Sequence, residues 1–461
     1  MKWSLLFGCA ALAALVPTLA QAAPPVARVS QAELAALKDA AVGEFVLLSH
    51  APLDKSLVGA VRVKRIDVYA PGARVLVAGA GGLREIPRST LRNFIADPRD
   101  PEAPLLAFSL ADDGKSASGV LMTPDGSFAV DGIAGNGLEL KLGERTDRTA
   151  GGKELSMQCG ADAVPATDPL GFPIAPARAA EIVAPAPDGA PATRVAVIAV
   201  DTDNELLQLK FADNTVNATN YIAALFTQMN LIYERDLDVV LQVGTTILRP
   251  STTPDPYTVL AFPANQAILT EFGNWWQANQ AATPRVLAMM LSGKSTNDFS
   301  SSGIAWVLSG AGTIYCNARS GTGGGYSFSE VFKFGGSTAA NDTQVVAHEL
   351  GHNFGASHTH CTNAAGVAPS SIGTLDQCYF LEAGSGCYSG PKVCPSAAGR
   401  TLMSYCHLPN GPPPETACGG VTLAFHPVQI TTLSARILTN FPACITPAAA
   451  GEAPMFLNGF E

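Results

Sequence analysis

Charge is scarce in this chain of 461 residues: Asp, Glu, Lys and Arg together make 15%, and aromatic residues only 7%. With 47% hydrophobic residues the composition is not that of a disordered polypeptide, and the length allows two or three domains with proper cores. A basic surplus is missing too. The net charge is -10, and Thr193 to Pro447 holds eleven basic against sixteen acidic residues with no Lys/Arg cluster, which argues against a nucleic-acid partner. Beyond the N-terminal end no segment is long and apolar enough to span a bilayer, for which roughly 20 residues are needed. Internal repeats are also lacking. Histidine is scarce as well, with seven in all.

What is present begins with a secretory signal over residues 1–22: Lys2, the apolar stretch Ser4 to Leu19, and the small-residue site Ala20-Gln21-Ala22. It implies a secreted, extracellular protein. Cleavage would take Cys9 away and leave nine of the ten cysteines in a compartment where thiols tend to pair. Cys159 stands alone in the N-terminal part. Cys316, Cys361, Cys378, Cys387, Cys394, Cys406, Cys418 and Cys444 lie downstream and can form four disulfides, in any of the 105 connectivities open to eight cysteines.

The apolar pattern gives an α/β (α+β) chain in two parts. A short amphipathic helix over Gln31 to Ala41 is followed by β-like runs and a hairpin signal, Pro-Asp-Gly, between alternating segments. Residues 161–192 carry seven prolines and many alanines, a composition suited to an extended connector accessible to proteases. This places an N-terminal β-rich domain at 23–160 and a second domain at 193–446, leaving 447–461 as a tail. The second domain opens on "RVAVIAVDTD", a nearly continuous apolar strand expected at the centre of a sheet. Helical and strand patterns alternate after it, over Val216 to Glu234, "LDVVLQVGTTIL", "AILTEFGNWWQANQ" and "RVLAMMLSG", indicating a mixed twisted sheet. Beyond His360 the text turns to Gly, Pro, Ser and Cys, a lower half held by disulfides, until a terminal helix at "HPVQITTLSARILTNF".

Four of the seven histidines fall in "VVAHELGHNFGASHTHC", Val345 to Cys361. Asn341, Asp342 and Thr343 offer N-caps to a helix whose apolar face is Val345, Val346, Leu350 and Phe354. On it His348 and His352 are i and i+4, side by side and able to bind one ion. Gly355 can end the helix in the left-handed conformation and turn the chain so that His358 reaches the same point. Three imidazole nitrogens and an open fourth corner make a catalytic rather than a structural zinc site. Glu349 would then face the bound water as general base, since zinc lowers that water's pKa from about 15.7 to about 7. His360, His407 and His426 fall outside the ligand spacing.

"HELGHNFGASH" is the signature of the metzincin zinc peptidases, and its wording most resembles the reprolysin/adamalysin (ADAM-like) family over roughly Arg194 to Ile445. The resemblance implies a zinc endopeptidase acting on proteins or peptides, made behind an inhibitory propeptide. "TLMSYC" looks like the family's methionine turn, with Met403 as an apolar floor beneath the metal. "GIAWVLSG" looks like its edge strand, with Ile304, Ala305, Trp306, Val307 and Leu308 expected to hold an extended substrate antiparallel. Two departures stand out. Thr359 replaces the usual Asp after the third histidine, and Tyr405 lies two residues past Met403 as in astacins and serralysins, where that tyrosine stabilises the transition state. Calcium, bound by many adamalysins, is a possible second ion with no residues assigned. "ELSMQCGAD" is similar to a cysteine switch, in which the Cys159 thiolate would take the fourth corner and keep the precursor silent until the connector is cut. The alternative from another class is a zinc-stabilised binding protein or toxin component that keeps the fold without catalysis, in which Glu349 would have no task.

Overall fold

The computed structural model describes residues 26–49, 60–98, 104–123, 126–146, 149–150, 153–159, 194–307, 315–316, 324–382, 386–409 and 416–448. The expected signal and connector, Leu308 and most of the C-terminal tail lie outside them.

Eight antiparallel strands between Val26 and Arg145 form one sheet, which includes the pairing of Ser116–Thr123 with Gly126–Gly135 on either side of Pro-Asp-Gly. The alternation of the strands puts Val63, Phe94, Phe108, Leu121 and Leu140 on one buried face. Leu37 of the helix Gln31–Asp39 covers them, and that helix starts at a Ser30/Glu33 capping box. The opposite face, with Ile95, Ala107, Val120 and Met122, belongs to the main core.

A second sheet has nine strands. In chain order they are β1 (Val75–Gly79), β2 (Gly82–Ile86), β3 (Ser156–Cys159), β4 (Arg194–Thr202), β5 (Val239–Leu248), β6 (Leu287–Ser292), β7 (Ser300–Ala305), β8 (Tyr326–Glu330) and β9 (Thr446–Pro447). Its helices are α1 (Thr215–Leu237), α2 (Gln266–Gln280), α3 (Ala339–Phe354) and α4 (Pro427–Thr439). The spatial order is β3-β7-β8-β6-β4-β5-β1-β2, with β9 beside the start of β4. Strands β8, β6, β4, β5 and β1 are parallel, and β7 runs against β8. The apolar run of β4 is buried at the centre, as parallel strands covered on both faces require.

Both ends of this sheet come from upstream of the connector. The β1–β2 hairpin extends it beyond β5, and β3 lies along β7. The N-terminal part therefore interleaves with the peptidase-like part instead of folding beside it. Helix α1 is buried on nearly every side because it lies between the two sheets, and its polar residues are matched inside the core. Asn230 exchanges two hydrogen bonds with the Leu241 backbone at 2.8 and 3.1 Å, and the Tyr233 hydroxyl donates to the Ala347 carbonyl of α3 at 2.9 Å.

The edge strand differs from its expected limits. It spans Ser300–Ala305, so Ile304 and Ala305 close it while Trp306 and Val307 lie past its end. Hydrophobic alternation misses the start because Ser301 and Ser302 are fully buried polar residues. Ser302 accepts the Ala264 N–H at 2.9 Å and donates to the Glu330 carboxylate.

Candidate metal centre and active site

Helix α3 begins earlier than the Asn341–Thr343 caps suggest. Thr338 is the N-cap, and Asn341 closes a capping box by accepting the Thr338 N–H at 2.9 Å. Asp342 is instead buried in the first turn, accepting from Phe332 N, Tyr221 Oη and Lys210 Nζ at 2.8, 2.7 and 3.0 Å. At the other end Gly355 has φ +107°, and a Cβ there would lie 1.9 Å from Arg436 Nη1. The chain thus turns back towards the helix, and His358 follows.

His348, His352 and His358 are 1%, 1% and 3% exposed. Each Nδ1 faces an acceptor: the Leu402 carbonyl at 2.8 Å, the Ala356 carbonyl at 2.7 Å, and both oxygens of Glu382 at 3.0 and 3.2 Å. Carbonyls and carboxylates cannot donate, so the proton sits on Nδ1 and the lone pair on Nε2. Those lone pairs converge, with His352 Nε2 and His358 Nε2 3.1 Å apart. His348 Nε2 is buried with no hydrogen-bond partner. Burial, and then the neighbouring imidazole of His358, pushes His352 down to about 3, and burial with the other imidazoles holds His348 well below the usual range. Protons therefore do not bridge these nitrogens at neutral pH. Three buried lone pairs aimed at one point fit a cation that prefers nitrogen ligands in tetrahedral geometry, as zinc does.

Cys159 belongs to the same cluster. Its Sγ is 3.6 Å from His352 Nε2, and one donor atom from each of Cys159, His348, His352 and His358 lies within 4.8 Å of the others. Strand β3 brings it there by pairing with β7 in parallel, Cys159 opposite Gly303. Glu349, fully buried on α3, lies against that glycine, and a Cβ at residue 303 would come within 2.3 Å of its Oε1.

Beneath the histidines, a Cβ at Gly351 would lie 2.8 Å from Met403 Sδ, so the thioether packs directly on the helix backbone. The Met403 carbonyl accepts from Thr359 N at 3.1 Å and Oγ1 at 3.2 Å, and the same hydroxyl faces Asp376. Tyr405 is buried with its ring 4.2 Å from that of His358, and its hydroxyl donates to the Cys159 carbonyl at 3.3 Å. Asn353 Nδ2 donates to the Trp306 and Tyr326 carbonyls at 2.9 and 3.0 Å, tying α3 to the end of β7 and the start of β8. Among the described residues four disulfides form, Cys316–Cys444, Cys361–Cys387, Cys378–Cys406 and Cys394–Cys418, of which the second follows directly on His360 and the third on Tyr405.

Residues 192–412 match the family model described as "Metallo-peptidase family M12", of the reprolysin type. This region is a reprolysin-type metzincin. No curated protein matches the chain. Among solved structures, a chain from "Structure of a chaperone-substrate complex" aligns with TM-score 0.28 and 11% identity over 54% of this chain; the match spans 36% of that chain. The metzincin region accounts for the zinc-protease chemistry, and its histidine set fits the ion. Among the described residues no helix is long and apolar enough to cross a membrane.

Two further histidines have other work. His426 caps α4, its Nδ1 accepting the Val428 N–H at 3.2 Å, while His360 bonds to Glu382. Glu382, Asp376, Gly303 and Asn353 were not singled out by motif. Scarcity could have flagged two of them, since Asp376 and Glu382 are the acidic residues between Cys361 and Cys406.

Proposed function

We propose that the chain is the latent precursor of a secreted zinc endopeptidase, with residues 23–160 as propeptide and the 161–192 connector as the place where it is cut. His348, His352 and His358 would hold zinc through their Nε2 atoms, and the bound ion would supply a Lewis acid for a peptide carbonyl and for water. Glu349, between the metal cluster and β7, takes the proton of the attacking water and passes it to the leaving amine. The peptide itself lies extended along β7, antiparallel, held by backbone hydrogen bonds. Tyr405 points its hydroxyl at the same place and steadies the developing oxyanion. Met403 supports the ligands from below.

Latency follows from what occupies that edge in the precursor. Strand β3 runs parallel to β7, opposite to the direction proposed for substrate, and brings a thiol to the histidines where a substrate would bring a carbonyl. Its Cys159 carbonyl also engages the Tyr405 hydroxyl. A cavity of about 240 Å³ lies beside Met157 of β3 and His407. The observation that carries the reading is the convergence of the Cys159 thiol with three buried imidazoles.

The purified full chain should hydrolyse casein after limited proteolysis, lose that activity to a chelator, and show none as Glu349→Gln. Cys159→Ala should be active without proteolysis. Activity indifferent to both chelator and Glu349→Gln would sink the zinc mechanism. A Cys159→Ala chain as silent and zinc-saturated as wild type would sink the switch. Zinc binding without hydrolysis in any form would favour a docking protein of this fold.

A further inference from the structure

Of the three ligand imidazoles, His358 alone has a carboxylate behind it. His348 and His352 give their Nδ1–H to backbone carbonyls, whose charge is partial and fixed, whereas His358 gives its proton to Glu382 at 3.0 and 3.2 Å. Glu382 is nearly buried, and its other imidazole partner is His360, whose Nε2 bonds the same oxygen while its ring stacks on that of His358 at 8° between planes. A buried carboxylate held between two imidazoles is costly to place unless its charge is used. The covalent framework shows how it is placed. Cys378–Cys406 ties the segment before Glu382 to the turn after Met403, and Cys361–Cys387 ties the segment after it to the residue following His360.

We infer that Glu382 is a positioning residue for the metal: through His358 it fixes the tautomer and orientation of the third ligand and makes that imidazole more electron-rich, with His360 steadying the carboxylate. This rests on the three histidines holding zinc. It assigns His360 a place in the centre although it is no ligand, and it gives the two disulfides a common purpose, the delivery of one negative charge behind the third ligand.

The test is metal retention in the full chain. Zinc release to an excess of chelator is measured for wild type, Glu382→Gln, Glu382→Asp and His360→Asn, each checked for intact disulfides and native circular dichroism. Loss of such an outer partner typically weakens metal binding by about 10–100-fold. Glu382→Gln should therefore release zinc faster on that scale, Glu382→Asp should recover part of the loss, and His360→Asn should fall between wild type and Glu382→Gln. The visible spectrum of the cobalt(II)-loaded chain should shift in Glu382→Gln and return towards wild type in Glu382→Asp, which a purely structural role would not produce. If the Glu382 variants do not fold, His360→Asn, which leaves Glu382 and its bond to His358 in place, decides by the same two readouts. Wild-type release rates and spectra in every folded variant would overturn the inference while leaving the zinc reading intact. A wild-type chain that binds no zinc would overturn both.

Discussion

The two halves of the metzincin region reach the metal by different means. The upper half presents His348, His352 and Glu349 on a helix fixed by apolar burial and by polar contacts to α1 and β7, such as Tyr233 to Ala347 and Asn353 to Trp306. In the lower half, Cys361 to Cys418 carries little regular structure and presents Glu382, Met403 and Tyr405 on loops stitched by disulfides. Their buried carboxylates differ in the same way. Burial, reinforced by neighbouring acids, pushes Asp203 and Glu330 of the upper half up to about 7. Burial acts on Glu382 too, but the imidazoles of His358 and His360 outweigh it and hold that carboxyl well below the usual range. The packed core also pairs carboxylates, Asp201 with Arg249 and Asp342 with Lys210, but it lets Asp203 and Glu330 titrate near neutrality, while the stitched loops hold Glu382 ionised between two imidazoles.

The sharpest break between the halves comes from Glu349→Gln. It should cut casein hydrolysis by about 10²–10⁴-fold, the usual contribution of a general base, with zinc content unchanged by metal analysis. Replacing Cys378 and Cys406 with Ser should destabilise the chain by about 2–4 kcal/mol and accelerate zinc release, yet leave helical circular dichroism close to wild type. Uniform loss of helix would show that the halves are one cooperative unit. Gly303→Ala places a methyl group against the Glu349 carboxylate and should cost about 1–3 kcal/mol of local strain. It should appear as lower turnover with zinc retained, and unchanged kinetics would mean that β7 yields.

The smallest effect concerns acid and base. Asp203 and Glu330 titrate near 7 when folded and at about 4 when unfolded, so in that window these two carboxyls bind more protons in the folded chain and their contribution to stability is lost as pH rises, against the opposite contribution of the buried His348 and His352. Relative to wild type, the melting temperature of Glu330→Gln should therefore climb as pH rises from about 4 to about 7. A difference between the two melting temperatures that stays constant over this range would contradict the assignment.

The histidine helix was legible because its pattern is local: two histidines one turn apart, a glutamate between them, and a glycine that ends the helix. The central strand and α1 were legible because full burial writes long apolar runs. The start of β7 was hidden because its buried residues are serines, of which Ser302 bonds Glu330 and a backbone N–H. Glu382 was hidden for a related reason, since it reaches His358 through disulfide geometry that eight cysteines leave open. The β1–β2 hairpin lies among the β-like runs of the N-terminal part, and nothing in alternation names the sheet a strand will join.

That hairpin also sets a schedule. The outer strands at both ends of the nine-stranded sheet lie between Val75 and Cys159, early in the chain, while β9 at Thr446–Pro447 and the Cys316–Cys444 bridge involve residues made near its end. Pairings so distant in sequence form slowly and only when both partners exist. A ribosome pausing before Cys444 therefore holds a chain whose sheet still lacks β9 and whose Cys316 still lacks its partner.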